Sequence, residues 1–430
     1  VQWFNLVRCH ETCLEEDFLI PALREHFNQS YTPEAYARLQ QHLREELGSA
    51  PGFRVAETPC FLPRTLLDRC AAVGARLTHR LVDDPEYLSA ALDAIPSGYR
   101  VPELNAHPHF MTADFGLVRE PDGSLSPRIV ELQAFPSVYA YQAALCQAYR
   151  EAYALPSTLG QYLGGYTEKT YWEQLGRVIL KGHAPEHVIL TEVEPERQKT
   201  YPDFALTAGR LGIRIVDIAK LVIERRPGEP AGVFYREQGE LVRVERIYNR
   251  AIVDEIMAKK IELPFRYDEQ LAVEWAGHPN WYFAISKFSL PYLKDASVPP
   301  AFFLDEWLDT SKQGGFTAEI AALPRSEWIL KPLFGFAGRG IEFAPTDEQL
   351  AAVAVHEQRG FLMQQRMHFT PVIETPFGPT QTEIRILYLW ADGGELEPVF
   401  SLTRLGRGKM MGVDHNRDQE WVGGSAAFYD

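Results

Sequence analysis

Between Pro33 and Leu47 apolar residues recur at mixed spacings of three and four. Thr32 offers an N-cap, Pro33 fits the first turn, and Gly48 stands just past the end. The pattern predicts a helix there and a helical character for residues 1–100 as a whole. Near residue 110 the period changes. TADFGLV, EPDGSLS and PRIVELQAF read as strand, turn and strand, with Asp122-Gly123 as a two-residue hairpin signal. Residues 138–165 return to a helical pattern, softened at Gly164-Gly165.

From about residue 185 strands alternate with helices. HVILTEV predicts a short apolar strand, PDFALTAGRLG an amphipathic helix ending at Gly212, and IRIVDI a second strand, a βαβ-like unit that favours a parallel sheet. LVRVERIYNR predicts one further strand. Beyond residue 278 the chain is β-rich with little parallel character. EWILKPL reads as a strand, FGFAGRG as a glycine-rich loop, IEFAP as a returning strand, and FLMQQRM and TEIRILYLW as two more. There is no internal repeat and no low-complexity tract.

Composition narrows the classes. The 430 residues are 46% hydrophobic and 23% charged, which predicts two or three packed domains and excludes a disordered chain. Lys and Arg total 43 against 58 Asp and Glu, a net charge of −15 that argues against a general nucleic-acid binder while allowing a local basic pocket. Five cysteines are too few for a disulfide scaffold. No apolar run approaches the roughly 20 residues of a membrane helix, and no charged-then-apolar leader is seen. The expectation is a soluble protein of the reducing cytoplasm with no membrane partner.

Two constellations carry chemistry. Lys331 closes a strand, and Gly335, Gly338 and Gly340 follow within nine residues. Glycines let a backbone approach phosphate oxygens, and a neighbouring lysine adds a point charge. The order of lysine and glycines differs from both the P-loop and the protein-kinase pattern. Asp114 and Glu131 lie equally far from the centre of the Asp122-Gly123 turn, so in a two-residue-turn register they face each other, with Gln133 on the same face. Such an oxygen set suits Mg²⁺ bound together with substrate phosphates. Taken alone, each pattern is also explained by a glycine-rich hairpin with a surface lysine, or by a hairpin with solvated acids.

Together they carry a resemblance. Lys331 with its loop resembles the nucleotide half of ATP-grasp ligases, and ADFGLVREPDGSLSPRIVELQAFPS resembles that superfamily's metal segment. Here the metal segment comes first, which resembles the circularly permuted ATP-grasp branch that includes the synthetase part of glutathionylspermidine synthase. AISKFSLPYLKD, FLMQQRM and TEIRILYLW with EPVFSLTR are similar to further segments of that branch. The resemblance implies an α/β multidomain protein with a circularly permuted ATP-grasp fold. Residues 1–105 form a helical N-terminal region, 106–176 the metal-binding half, 177–275 a small intervening α/β domain and 276–430 the nucleotide-binding half. It implies ATP and Mg²⁺ as cofactors and small-molecule carboxylate and amine substrates, joined through an acyl phosphate with release of ADP and phosphate. Asp114, Glu131 and Gln133 would hold the metal. Lys287, Lys331, Phe334, Gly335, Gly338, Gly340, Gln364, Gln365 and Met367 would hold the nucleotide, with backbone groups from Gln365 to Met367 meeting the base. Arg385, with Arg339, would stabilise the transferring phosphoryl group, and Arg404 is a further candidate. A kinase-like phosphotransferase and a non-catalytic nucleotide-binding partner protein are the alternatives. Gln133 stands where the family has Asn, and Phe135 where glutathionylspermidine synthases have an acid.

Other signals are set lower. Cys9, His10 and Cys13 lack a second ligand pair. His107 and His109 precede Asp114 and could line its site. Arg246 and Arg250 could clamp a substrate carboxylate or simply form a surface pair. The acids of Glu11–Asp17 and Glu45–Glu46 read as solvated helix faces.

Overall fold

A computed structural model describes residues 19–334, 340–411, 416 and 418–430. The described residues open with helices α1 (Pro21–Ser30) and α2 (Pro33–Leu47), a short strand β1 (Cys60–Phe61), and helices α3 (Arg64–Val82) and α4 (Pro85–Asp93). The α2 signals work as the pattern requires: Ala35 N donates to Thr32 Oγ1 at 3.2 Å, and Gly48 ends the helix at φ +69°. A hairpin of β2 (Phe110–Arg119) and β3 (Leu125–Gln133) follows, then α5 (Tyr139–Ala152) and α6 (Glu168–Leu180). The middle of the chain carries β4 (Val188–Glu192), α7 (Tyr201–Leu211), β5 (Arg214–Asp217), β6 (Val222–Glu224), β7 (Gly232–Glu237), β8 (Glu240–Val244), β9 (Arg246–Asn249), α8 (Val253–Lys259), β10 (Glu274–Ala276) and α9 (Pro279–Ala284). The last part holds β11 (Ala301–Phe303), α10 (Leu304–Gln313), α11 (Ala318–Ala322), β12 (Trp328–Pro332), β13 (Glu342–Phe343), α12 (Asp347–Ala352), β14 (Phe361–Gln365), β15 (Gln381–Trp390), β16 (Leu396–Gly406) and β17 (Gly423–Phe428).

These strands make four sheets, and the protein is a mixed α/β assembly. The largest has the order β1-β17-β16-β15-β2-β3 and is antiparallel apart from the β1–β17 edge. It therefore joins strands separated by more than 250 residues. The βαβ pattern yields the parallel sheet β10-β9-β4-β5, and β11-β14-β12-β13 and β6-β7-β8 are antiparallel.

Burial explains the packing of the large sheet. On one face Met111, Ala113, Phe115 and Leu117 of β2 join Ile384, Ile386 and Tyr388 of β15 in a core with Leu66, Leu67, Leu77 and Leu81 of α3. The other face is split. Its Phe110, Leu387 and Leu389 join Tyr139 and Leu145 of α5 in a second core, whereas Thr112, Asp114, Glu383 and Arg385 continue the same face with polar groups. That polar half positions the site.

Three predicted elements differ. The helical pattern of residues 138–165 stops at Ala152, and the rest turns back so that Gly160 and Tyr162 bridge to Tyr429 and Phe400. LVRVERIYNR is two strands, not one: β8 and β9 are separated at Glu245 and enter different sheets. The hairpin lacks a two-residue turn. Glu120 N donates to Ser124 O at 2.8 Å across a five-residue loop, and Val130 bulges out between the Asp114–Glu131 and Phe115–Ile129 pairs. The odd loop and the bulge cancel, so Asp114 still faces Glu131.

Where α3 crosses the sheet, Gly74 marks a close approach. A Cβ there would sit 2.2 Å from the Tyr388 hydroxyl oxygen and 2.8 Å from Ala113 Cβ. Alanine in a helix interior normally gains about 1 kcal/mol over glycine. Here we expect Gly74→Ala to lose about 2 kcal/mol through overpacking, read as a lowered denaturant midpoint at unchanged m-value.

Candidate active site

The site begins with a ladder. β3, β2 and β15 lie side by side, so Glu131, Asp114 and Arg385 form one row, and Glu383 of β15 pairs with Arg404 of β16 one step away. Arg385 Nε donates to Asp114 Oδ1 at 2.6 Å and its NH2 to Oδ2 at 2.5 Å, a bidentate fork. Arg404 NH2 adds a third bond to Asp114 Oδ2 at 2.7 Å and also pairs with Glu383. Arg385 NH1 reaches Ser137 Oγ at 3.0 Å, on the loop after β3. Gln133 Nε2 donates to Glu131 Oε1 at 3.0 Å.

Charges set the protonation states. Burial alone would raise the pKa of Asp114, but Arg385 and Arg404 outweigh it and hold the carboxyl below its ordinary range. Glu383 is pushed up to about 7, first by burial, against the pull of Arg404 and with the repulsion of Asp114. The Asp114 charge raises Arg385 above its ordinary value despite burial.

The opposing sheet supplies the lysine. Lys331, at the end of β12, donates from Nζ to Gln364 Oε1 on β14 at 2.7 Å. Burial lowers its pKa to about 8, the charges of Glu131 and Glu383 oppose that shift, and Lys287 reinforces it. Acids of the large sheet and both candidate lysines therefore share one electrostatic neighbourhood. Lys287 follows Ser286, whose Oγ accepts from Phe288 N at 3.2 Å, and its segment is fastened to β3 by Ala134 N donating to Ile285 O at 2.9 Å. Gln364 Nε2 is buried without a partner, a donor beside Lys331 that suits an acceptor-rich ligand.

The remaining candidates are placed unevenly. Phe334 packs edge-on against Phe283 with ring centroids 5.1 Å apart, and Gly340 has φ +71°. Gly335, Gly338 and Arg339 lie outside the described residues, as do Cys9, His10 and Cys13. The strand predicted for FLMQQRM ends at Gln365 and leaves Met367 in the following loop. Gln365 N and Arg366 N already donate to Pro300 O and Glu327 O, so both backbone donors are committed within the protein.

Several lower-ranked signals are resolved. Arg246 is buried, donating to Ile179 O, Val178 O and Glu274, so it clamps protein rather than substrate. Arg250 NH1 donates to Pro136 O and Ser137 O, with its guanidinium against Phe135 and Phe204. It thus anchors the loop that carries Ser137. His107 stacks on Trp390, and His109 Nε2 lies 3.2 Å from Asp392. His109 lines a separate cavity of about 240 Å³ with Arg246, Lys181 and Glu274. Cys60, Cys70 and Cys146 are free and buried, and burial raises each thiol pKa.

Asp114, Glu131 and Gln133 are oxygen donors on neighbouring rungs, a chemistry that fits a hard cation. Both oxygens of Asp114 are occupied by guanidinium groups, and no cluster of three or more His, Cys, Asp or Glu is arranged for a metal among the described residues. A cation there requires the arginines to move.

No protein-family model matches the chain. No curated protein matches it either. Among solved structures it is similar to a glutathione synthetase-like effector from Globodera pallida, in apo form, at 11% identity and a TM-score of 0.56 over 94% of this chain and 99% of that one. The likeness is one of fold. Among the described residues, no helix is long and apolar enough to cross a membrane.

Glu383, Ser137 and the anchoring role of Arg250 were missed by sequence reasoning. Glu383 alone had a signal, since it lies two residues before Arg385 and shares its face. The lowered pKa of Lys331 has a consequence for stability. Folded protein binds fewer protons at this amine between pH 8 and its ordinary 10.5, so stability rises with pH across that window. Lys331→Met should be more stable than wild type at pH 7, by up to about 3 kcal/mol. Urea unfolding at pH 7 and pH 10 checks this: the difference should shrink at the higher pH, and a constant difference would exclude the buried-charge account.

Proposed function

We propose that the protein is an ATP-dependent carboxylate–amine ligase with a circularly permuted ATP-grasp architecture. In this reading residues 106–176 and 276–430 are the two halves, 177–275 the intervening domain, and 1–105 the helical region. The observation that carries it is the convergence of Glu131 with Lys331, residues 200 positions apart on opposing sheets, beside Asp114, Arg385 and Lys287. The glutathione synthetase-like fold supports a ligase-type ancestry.

The carboxylate substrate attacks the γ-phosphorus of ATP, the bond to the β–γ bridging oxygen breaks, and ADP leaves. An amine then attacks the acyl carbon and displaces phosphate, losing a proton as the amide forms. This chemistry needs in-line positioning and charge neutralisation rather than a protein nucleophile. Lys287 and Lys331 supply cations toward the phosphates, and the unpaired amide of Gln364 supplies a donor. Arg385, steadied by Ser137, and Arg404 supply guanidinium groups for the charge on the transferring phosphoryl group. Asp114, Glu131 and Gln133 would hold Mg²⁺, whose contribution is to neutralise the β- and γ-phosphates.

Phosphate release in the presence of ATP, Mg²⁺ and paired acids and amines, with mass detection of the product, tests the reading. Glu131→Ala should reduce that turnover by at least about 10³-fold while the circular dichroism spectrum stays unchanged. Wild-type turnover in that variant would remove the metal assignment. Transfer of the phosphoryl group to a stable product would select the phosphotransferase alternative.

A further inference from the structure

Asp114 is 1% exposed at its side chain, whereas Arg385 above it is 13% exposed and Arg404 24%. Both guanidinium groups that hold the carboxylate are thus more exposed than the carboxylate itself. A divalent cation arriving alone would meet those positive charges before any oxygen. An oligophosphate arriving alone would meet arginines whose charge is spent on Asp114 and Glu383, with Glu131 alongside. The cluster sets Glu131, Asp114 and Glu383 against Arg385, Arg404 and Lys331, with Lys287 at its edge. A cation entering with an oligophosphate offsets part of its charge, so the pair disturbs the cluster less than the oligophosphate alone.

We propose that Asp114 and Glu383 are positioning residues that hold Arg385 and Arg404 in a resting place until an oligophosphate draws them off, so that metal and anion are taken up only together. This concerns the same site as the ligase reading and rests on it for the identity of the anion as ATP, but the exchange itself requires only an oligophosphate. Glu383 acts through Arg404, and Asp114 acts through both arginines until they are drawn off. Asp114 supplies three of the bonds that hold them, and Glu383 holds Arg404 from the neighbouring rung. Ser137 remains a partner for Arg385 NH1 and would limit how far that side chain turns. Once the arginines face the anion, the oxygens of Asp114 become available beside Glu131.

Calorimetric titrations of wild type, Asp114→Asn and Glu383→Gln with Mg²⁺ alone, metal-free tripolyphosphate, metal-free ATP, and each anion with Mg²⁺ test the exchange. In wild type Mg²⁺ alone should give no binding heat and should tighten tripolyphosphate at least about tenfold. Metal-free tripolyphosphate should bind both variants about tenfold tighter than wild type, since each loses a charge-assisted partner of the arginines. Circular dichroism and thermal unfolding establish that the variants are folded, and Glu383→Gln carries the test if Asp114→Asn is not. Equal metal-free tripolyphosphate affinity in wild type and Glu383→Gln overturns the proposal, as does Mg²⁺ binding equally well with and without the anion. If tripolyphosphate shows the exchange but ATP binds no tighter than it does, the exchange stands and the nucleotide reading falls. If ATP binds all three proteins alike, the exchange falls and the nucleotide reading stands. Absence of binding by either anion to any of the three proteins overturns both.

Discussion

A carboxylate sealed from water keeps its charge only where cations are packed against it. Asp114 is such a group, and its partners come from two other strands, Arg385 on β15 and Arg404 on β16. The pairing has architectural consequences. It favours the early hairpin lying beside strands added more than 250 residues later, and it keeps one half of a sheet face free of the apolar residues that fill the other half. Removal of either side of this pairing would leave buried charge uncompensated, which makes the cluster a determinant of register as well as a candidate reaction centre.

The second sheet contributes by a different means. Burial lowers the pKa of Lys331, whose amine is held by the amide of Gln364 rather than by a carboxylate. That lysine is bonded to an amide, whereas each arginine is paired with a carboxylate. The two sheets thus present basic groups of contrasting readiness, and the parallel sheet adds a third layer of control. Arg250 at its carboxyl edge grips the carbonyls of Pro136 and Ser137, and so fixes the hydroxyl that meets Arg385. The parallel sheet thus meets the site at the loop that carries Ser137.

Much of this was legible in the residues. Thr32, Pro33 and Gly48 marked α2 because capping is local chemistry. The Val188–Glu192 strand was visible because a strand covered on both sides reads as an apolar run, and the alternating Arg214–Asp217 edge strand followed from the βαβ spacing. The face shared by Asp114 and Glu131 was inferred from a turn that the protein does not have, and agreement arose because a bulge restored the phase. What stayed hidden depends on long-range pairing. No local pattern tells that Arg404 lies opposite Glu383, that β8 and β9 part company at Glu245, or that Arg250 serves a loop more than a hundred residues earlier.

The Val130 bulge separates two properties of the hairpin that are ordinarily locked together. Its tip at Pro121–Gly123 is exposed, and the irregular residue lies between that tip and the acidic rung. Slack stored there can absorb a change at the ribbon's free end before it is transmitted to Asp114. The tip is accordingly a place where the chain can accommodate inserted sequence, such as a short label, while the inward-facing side chains at its base keep their orientation.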